Sequence, residues 1–135
     1  MNYKIAFTFF LCFSLGIVSA QKKMNQTKRN IVESVEKHKA NLIEISDGIW
    51  EQAETAFEEH KSSKLLADYA EEQGFQVERG VAGIPTAFVA TYGAGRPVIS
   101  VLGEFDALPG LSQDTLPNKS PLEEGAPGHG CGHNV

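Results

Sequence analysis

A short glycine-rich stretch near the end of the chain carries three residues of the types that bind transition metals. Over residues 128–134 glycine alternates with His129, Cys131 and His133. In an extended backbone these three side chains share one face, and the glycines between them let the backbone turn tightly around an ion. Thiolate sulfur and imidazole nitrogen are the favoured ligands of Zn²⁺ and suit other first-row divalent metals. The pattern favours a metal site that needs further ligands from elsewhere. The alternative is a flexible glycine-rich segment with incidental histidines.

A second candidate for chemistry is the pair Glu104 and Asp106, which follows an apolar run at residues 98–102. The two acids are two residues apart, so they point the same way in an extended backbone. In open α/β sheets, ligands bind beyond the carboxyl ends of the strands, which is where these carboxylates fall if the apolar run is a strand. A pair of exposed acids that caps the next element is the alternative interpretation.

Two helices are predicted upstream of these residues. Over residues 30–50 the apolar residues recur at spacings of 4, 7, 3 and 4, which is typical of one stripe of an amphipathic helix. Gly48 weakens the last turn of this helix. A second helix is predicted to begin at Ser62 or Ser63, either of which can cap it, and to end at Gly74, where a left-handed residue is favoured.

The period changes after the second helix. Alternation at residues 75–78 predicts a half-exposed strand, and residues 86–92 predict its antiparallel or neighbouring strand. The nearly continuous apolar run at 98–102 predicts a strand covered on both faces, as in the centre of an α/β sheet. Residues 111–127 have no periodicity and predict a long loop, either a solvated connection or a substrate lid. The predicted fold class is therefore α/β.

Composition excludes several classes of protein. The chain has 135 residues, of which 41% are hydrophobic and 21% charged, so it is about one globular domain and not a disordered acidic tail. Twelve Lys and Arg against 17 Asp and Glu give a net charge of −5. Because there is no basic block, we expect no nucleic-acid partner. Two cysteines, Cys12 and Cys131, cannot build a disulfide framework.

The first twenty residues predict a signal peptide. Lys4 supplies a positive start, residues 5–18 carry no charge, and Ala20 with Val18 two places earlier suits a signal-peptidase site. The apolar run is too short to span a bilayer core of ~30 Å comfortably, so a one-pass anchor is the less favoured alternative and we expect no stable membrane anchor. Residues 1–20 are then the signal, and residues 21–135 a mature chain in the periplasm or outside the cell. Cys131 would be its one cysteine, either buried and idle or held by a metal.

Four motifs, in order, make the chain from Trp50 to Asn134 resemble the start of the M20 metallopeptidase and amidohydrolase family. The motifs are WEQAETAFE at 50–58, GVAGIPTAF at 80–88, LGEFDALPGLSQ at 102–113 and GHGCGHN at 128–134. Four motifs in the right order are much more specific than any one of them. The resemblance is to the branch that contains auxin-conjugate amidohydrolases, and it makes the metal interpretation of residues 128–134 the favoured one.

The resemblance implies roles for individual residues. Cys131 would hold the thiolate position between two metal ions, His133 would ligate one of them, and Asp106 would orient a ligand from outside the coordination sphere. Broader M20 members have a histidine where this chain has Glu104. That difference is typical of the cysteine-containing branch, so Glu104 is not assigned as a ligand. His129 matches a histidine of the branch without an assigned role.

The resemblance also implies a fold and an activity. Residues 21–135 would be the N-terminal portion of a zinc-peptidase-like catalytic domain with a mostly parallel or mixed central sheet flanked by helices, incomplete here. The intact protein would be an exported hydrolase for the amide bond of N-acyl amino acids, dipeptide-like substrates or aminobenzoyl-glutamate-like conjugates. Two divalent ions, Mn²⁺ or Zn²⁺, would polarise the amide carbonyl and activate a water.

The resemblance places the rest of the machinery after residue 135. The family's glutamate pair, which supplies the general base, its remaining histidine ligands and its inserted dimerisation domain would all follow there. We therefore expect no catalytic base in this chain, no activity from it alone, and a homo- or hetero-oligomer for the full-length protein. A small exported metal-binding or interaction module without catalysis is the alternative.

Overall fold

The computed structural model describes residues 25–135. The chain divides into two compact units, Met1–Lys37 and His38–Val135, and every candidate site residue lies in the second. The predicted signal peptide, with Cys12, lies outside the described residues and stays a prediction. Among the described helices, none has the length and apolar character needed to cross a membrane.

The first helix, α1, spans Gln26–Gln52 and is longer at both ends than the periodicity predicts. Ile45 and Ile49 of the predicted apolar stripe are buried. Gly48 does not end the helix; a Cβ atom there would lie 3.1 Å from the Leu65 side chain, so the glycine allows close packing. The helix ends before Ala53, whose φ of 45° is incompatible with its continuation.

The second helix, α2, spans His60–Glu72. The predicted cap is wrong: the helix begins before Ser62 and Ser63, both of which are buried inside its first turns. Their hydroxyl groups bond to residues outside the helix instead: Ser62 Oγ donates to Glu54 at 2.8 Å, and Ser63 Oγ donates to the Thr86 carbonyl at 2.6 Å. The predicted end is confirmed, since Gly74 follows the helix with a left-handed φ of 88°.

A two-stranded antiparallel sheet follows the helices. Strand β1 spans Gln76–Arg79 and strand β2 spans Phe88–Thr91, paired so that Gln76 lies opposite Thr91. Helix α2 contacts both strands. The side chain of Arg79 in β1 donates to Asp68 at 2.8 Å and to Glu71 at 2.5 Å, which joins the exposed side of α2 to the sheet. The two helices and the small sheet agree with an incomplete α/β peptidase-like domain.

The predicted central strand at residues 98–102 does not form in the described structure. This segment has no regular secondary structure, and its main chain makes no hydrogen bond to any described residue. Its apolar side chains are between 82% and 98% exposed: Val98, Ile99, Val101 and Leu102. A strand needs a hydrogen-bonded neighbour as well as a suitable sequence, and residues 25–135 supply none beside this segment.

The long loop predicted at residues 111–127 is confirmed, and its own side chains order it. Asp114 accepts hydrogen bonds from the Leu116 amide at 2.7 Å and from the Ser120 hydroxyl at 2.8 Å. Gln113 accepts from the Ser120 amide at 3.0 Å. These bonds bend the loop back on itself. The loop ends at residue 127, directly before the glycine-rich motif.

Candidate metal centre

Three side chains of metal-ligating type come together at one point of the second unit. One ligand atom each from Glu104, Asp106 and His133 lies within 4.8 Å of the other two. His133 Nδ1 lies 3.0 Å from Asp106 Oδ1, and His133 Nε2 lies 3.2 Å from Glu104 Oε1. The two carboxylates therefore flank the imidazole, one at each ring nitrogen.

The charge around His133 favours its protonated form. Burial by itself would lower the pKa of His133, but the hydrogen bond to Asp106 and the negative charge of Glu104 outweigh burial and raise that pKa above its usual value. The same two carboxylates would also attract a divalent ion placed beside the ring. Asp106 lies at Nδ1 and Glu104 at Nε2, so an ion bound to Nε2 would replace the proton there and take over the contact with Glu104.

The structure brings together some of the predicted site residues and separates one. Asp106 and His133 are in contact, as the predicted orienting role of Asp106 requires. Glu104, which the resemblance left without a role, joins them. Cys131 is exposed and is not part of this three-residue group. Its role as a bridging thiolate therefore remains a prediction.

The glycine-rich motif is held against the Asp106 segment by main-chain hydrogen bonds. Leu108 and Gly128 form an antiparallel bridge with two bonds of 3.1 Å, and the Gly130 amide donates to the Leu111 carbonyl at 3.2 Å. Asn134, which ends the motif, donates to Ser46 Oγ of α1 at 3.2 Å. These contacts fix His133 beside Asp106 although the two residues belong to different loops.

Gly128 is needed for this contact because the two loops are very close. A Cβ atom at this position would lie 2.6 Å from both the Leu111 carbonyl oxygen and Ser112 Cα, distances that only a backbone shift can relieve. We expect Gly128→Ala to destabilise the protein by about 1–3 kcal/mol, as overpacking does, and to weaken metal binding. Urea unfolding and metal titration measure the two effects.

Gly103→Ala is the matched control, because a Cβ atom at Gly103 meets nothing within 4 Å. We expect that variant to unfold at the same urea concentration as the wild type. Equal unfolding midpoints for the Gly128 and Gly103 variants would contradict the close-packing argument.

His129 is the buried member of the motif. It is 6% exposed, and its ring nitrogens make no hydrogen bond of good geometry to the described residues, although the Ile49 backbone is close enough to act on the ring. Burial lowers the pKa of His129, so the ring is neutral near pH 7. It also lines a cavity of about 190 Å³ whose walls include Trp50 and Gln113. The sequence assigns no role to His129, and its burial was not evident from the motif.

Known proteins resemble this chain over most of its length, although no family model matches it. It is 44% identical over 113 residues to a subunit of the p-aminobenzoyl-glutamate hydrolase of Escherichia coli, a match that covers 83% of this chain and 24% of that protein. It is 33% identical over 96 residues to thermostable carboxypeptidase 1 of Saccharolobus solfataricus, covering 70% of this chain and 24% of the relative. These relatives are M20-family peptidases and hydrolases. The chain belongs to the M20 family.

The M20 match is to the N-terminal part of the relatives. The human Xaa-Arg dipeptidase is 27% identical over 133 residues, covering 89% of this chain and 27% of the dipeptidase. The chain thus spans about a quarter of the length of the curated relatives it matches. The resemblance predicted from the four motifs is confirmed, as is the N-terminal position of the matched segment.

Proposed function

We propose that this chain is the N-terminal portion of an exported, metal-dependent M20-type amidohydrolase. The observation that carries the proposal is the contact between Asp106 and His133, with Glu104 at the other ring nitrogen, in a chain homologous to M20 peptidases. The export part of the proposal is supported by the signal-like composition of residues 1–20.

The residues that would hold the metal are Cys131 and His133, with Asp106 as the orienting acid. Asp106 accepts a hydrogen bond from His133 Nδ1, and this contact would hold the ring so that Nε2, once it has lost its proton and its contact with Glu104, can ligate. Cys131 is exposed, so its sulfur is open to an ion without displacement of core side chains. A bound divalent ion, Mn²⁺ or Zn²⁺, gives such a site a Lewis acid that polarises an amide carbonyl and acidifies a water.

The proposed substrates contain an amide bond next to an amino acid. The names of the relatives describe a p-aminobenzoyl-glutamate hydrolase, a carboxypeptidase and an Xaa-Arg dipeptidase. Hydrolysis of an N-acyl amino acid or dipeptide-like conjugate is the reaction common to those names. A general base is needed to take the proton of the attacking water, and we assign none of the described residues to that step. We propose two metal ions, and a homo- or hetero-oligomer for the full-length protein.

Activity measured on two lengths of the protein tests the proposal. We expect the full-length product of the gene, loaded with Mn²⁺ or Zn²⁺, to hydrolyse N-acyl amino acids and to lose that activity on chelation. Residues 21–135 alone should be inactive, because half a metal site without a base cannot turn over substrate.

Two results would contradict the proposal. One is substrate turnover by residues 21–135 that exceeds the turnover measured with the metal ions alone. The other is a full-length protein that hydrolyses no acyl amino acid or dipeptide. A stop codon directly after Val135 would instead favour a small metal-binding module.

A further inference from the structure

Glu54 makes an unusual set of contacts for a residue outside the candidate metal centre. It lies between α1 and α2, in the first of the four M20-like motifs. Its carboxylate accepts hydrogen bonds from the amides of Lys61 and Ser62, at 3.1 and 2.8 Å, and from the Ser62 hydroxyl at 2.8 Å. Glu59, at the N-cap position of α2, makes no side-chain capping bond. Glu54 therefore caps this helix from six residues before its start.

These contacts keep the Glu54 side chain ionised. Partial burial would raise the pKa of Glu54, but the hydrogen bonds from Ser62 and Lys61 outweigh it, and the pKa lies below its usual value. The start of a helix presents unpaired amide hydrogens and a positive dipole, both of which favour a carboxylate there. Ser62 is fully buried, so loss of its acceptor would leave a buried hydroxyl and amide without partners.

The main chain of Glu54 connects this cap to the metal centre. Its carbonyl oxygen accepts a hydrogen bond of 2.7 Å from the amide of Ala107, and Thr55 forms a parallel bridge with the same residue. Ala107 is buried and directly follows Asp106, whose carboxylate and carbonyl both contact His133 Nδ1. A continuous series of contacts thus connects the start of α2, through Glu54 and Ala107, to the Asp106–His133 pair.

We propose that Glu54 is a positioning residue for the metal centre: its carboxylate anchors it to α2, and its carbonyl holds the segment that carries Asp106 against His133. This inference rests on the proposed function. It assigns Glu54 no contact with metal or substrate. Its effect on the reaction is through the placement of Asp106, which in turn orients the His133 ring.

Variants of Glu54 in the full-length protein test this inference. Glu54→Ala removes the anchor, whereas Glu54→Gln keeps one acceptor oxygen and loses the charge. Glu71→Gln is the matched control, because Glu71 lies on the same helix and its carboxylate accepts hydrogen bonds from Arg79 in the sheet. Two readouts are used: the ¹⁵N NMR signals of the His133 ring in metal-free protein, and the affinity for Mn²⁺ and Zn²⁺ alone by calorimetry.

At a pH high enough to make the His133 ring neutral, we expect wild type and Glu71→Gln to show one tautomer, protonated on Nδ1, while Glu54→Ala shows a mixture. Metal affinity should fall about 10- to 100-fold in Glu54→Ala, the range for loss of an orienting partner, and less in Glu54→Gln. It should be unchanged in Glu71→Gln.

The inference would be overturned if Glu54→Ala changed the melting temperature but left the His133 signals and the metal affinity unchanged. Glu54 would then act only as the cap of α2. If Glu54→Ala does not fold, the same comparison on Glu54→Gln decides the question. A wild type that binds no metal would contradict the proposed function, but the metal-free His133 signals would still decide the role of Glu54.

Discussion

Replacement of Cys131 by serine is expected to remove bound metal from the full-length protein while its fold stays intact. Serine is nearly isosteric with cysteine, but its hydroxyl stays protonated near neutral pH and cannot bridge two cations as a thiolate does. Cys131 is exposed, so the substitution costs no core packing. A lower metal content in this variant would therefore not be a result of lower stability. Elemental analysis of purified protein gives the number of ions per chain.

If two ions bind as proposed, His133→Ala should weaken the binding of one of them more than that of the other, because an imidazole ligates a single ion. The matched control is His60→Ala, since the His60 side chain is 60% exposed and its Nε2 lies 3.7 Å from Glu58, away from the candidate metal centre. That variant should keep its full complement of metal. Unchanged metal content in Cys131→Ser would overturn the thiolate assignment, and most of the proposed function depends on it.

Residues 21–135, expressed alone, are expected to aggregate. The apolar segment at 98–102 combines highly exposed side chains with a main chain that no described residue hydrogen-bonds. An exposed apolar segment with an unpaired main chain is a template for pairing with other copies. Light scattering should detect the aggregates, and binding of a hydrophobic dye should detect the exposed apolar segment.

Val101→Lys and Leu102→Lys should reduce this aggregation, because charge on an unpaired extended segment opposes pairing between chains. Val135→Lys is a suitable control: Val135 is 96% exposed but lies outside the segment. A sharp cooperative melt from a monodisperse monomer of wild-type residues 21–135 would contradict the prediction.

Much of the local structure could be predicted from the sequence because local rules determine it. The amphipathic stripe predicts α1, Gly74 marks the end of α2, alternation predicts β1, and residues 86–92 are predicted as the neighbouring strand that contains β2. The cap of α2 could not be predicted in this way. Its acceptor, Glu54, lies outside the helix, and no local pattern distinguishes it from the serines that usually cap.

The strand at 98–102 was predicted wrongly for a related reason. Its residues have the composition of a buried strand, but strand formation depends on neighbours that residues 25–135 do not supply. In the candidate site, the resemblance placed Asp106 and His133 in related roles, and the structure places them in contact. The position of Glu104 beside His133 Nε2 could not be predicted, because it depends on how two separate loops pack.

The hydrogen bonds that assemble the metal centre join residues far apart along the chain, and this has a consequence for the order of folding. Asp106 and His133 are 27 residues apart, and Ser46 and Asn134 are 88 apart. By contrast, α2, β1 and β2 contact one another within one short stretch. Closing long loops costs entropy before the contacts repay it, so distant pairs form slowly. We therefore expect the helix and hairpin to fold first and the loops of the candidate metal centre to fold last. Metal added during refolding should leave the early kinetic phase unchanged and stabilise only the product of the late one.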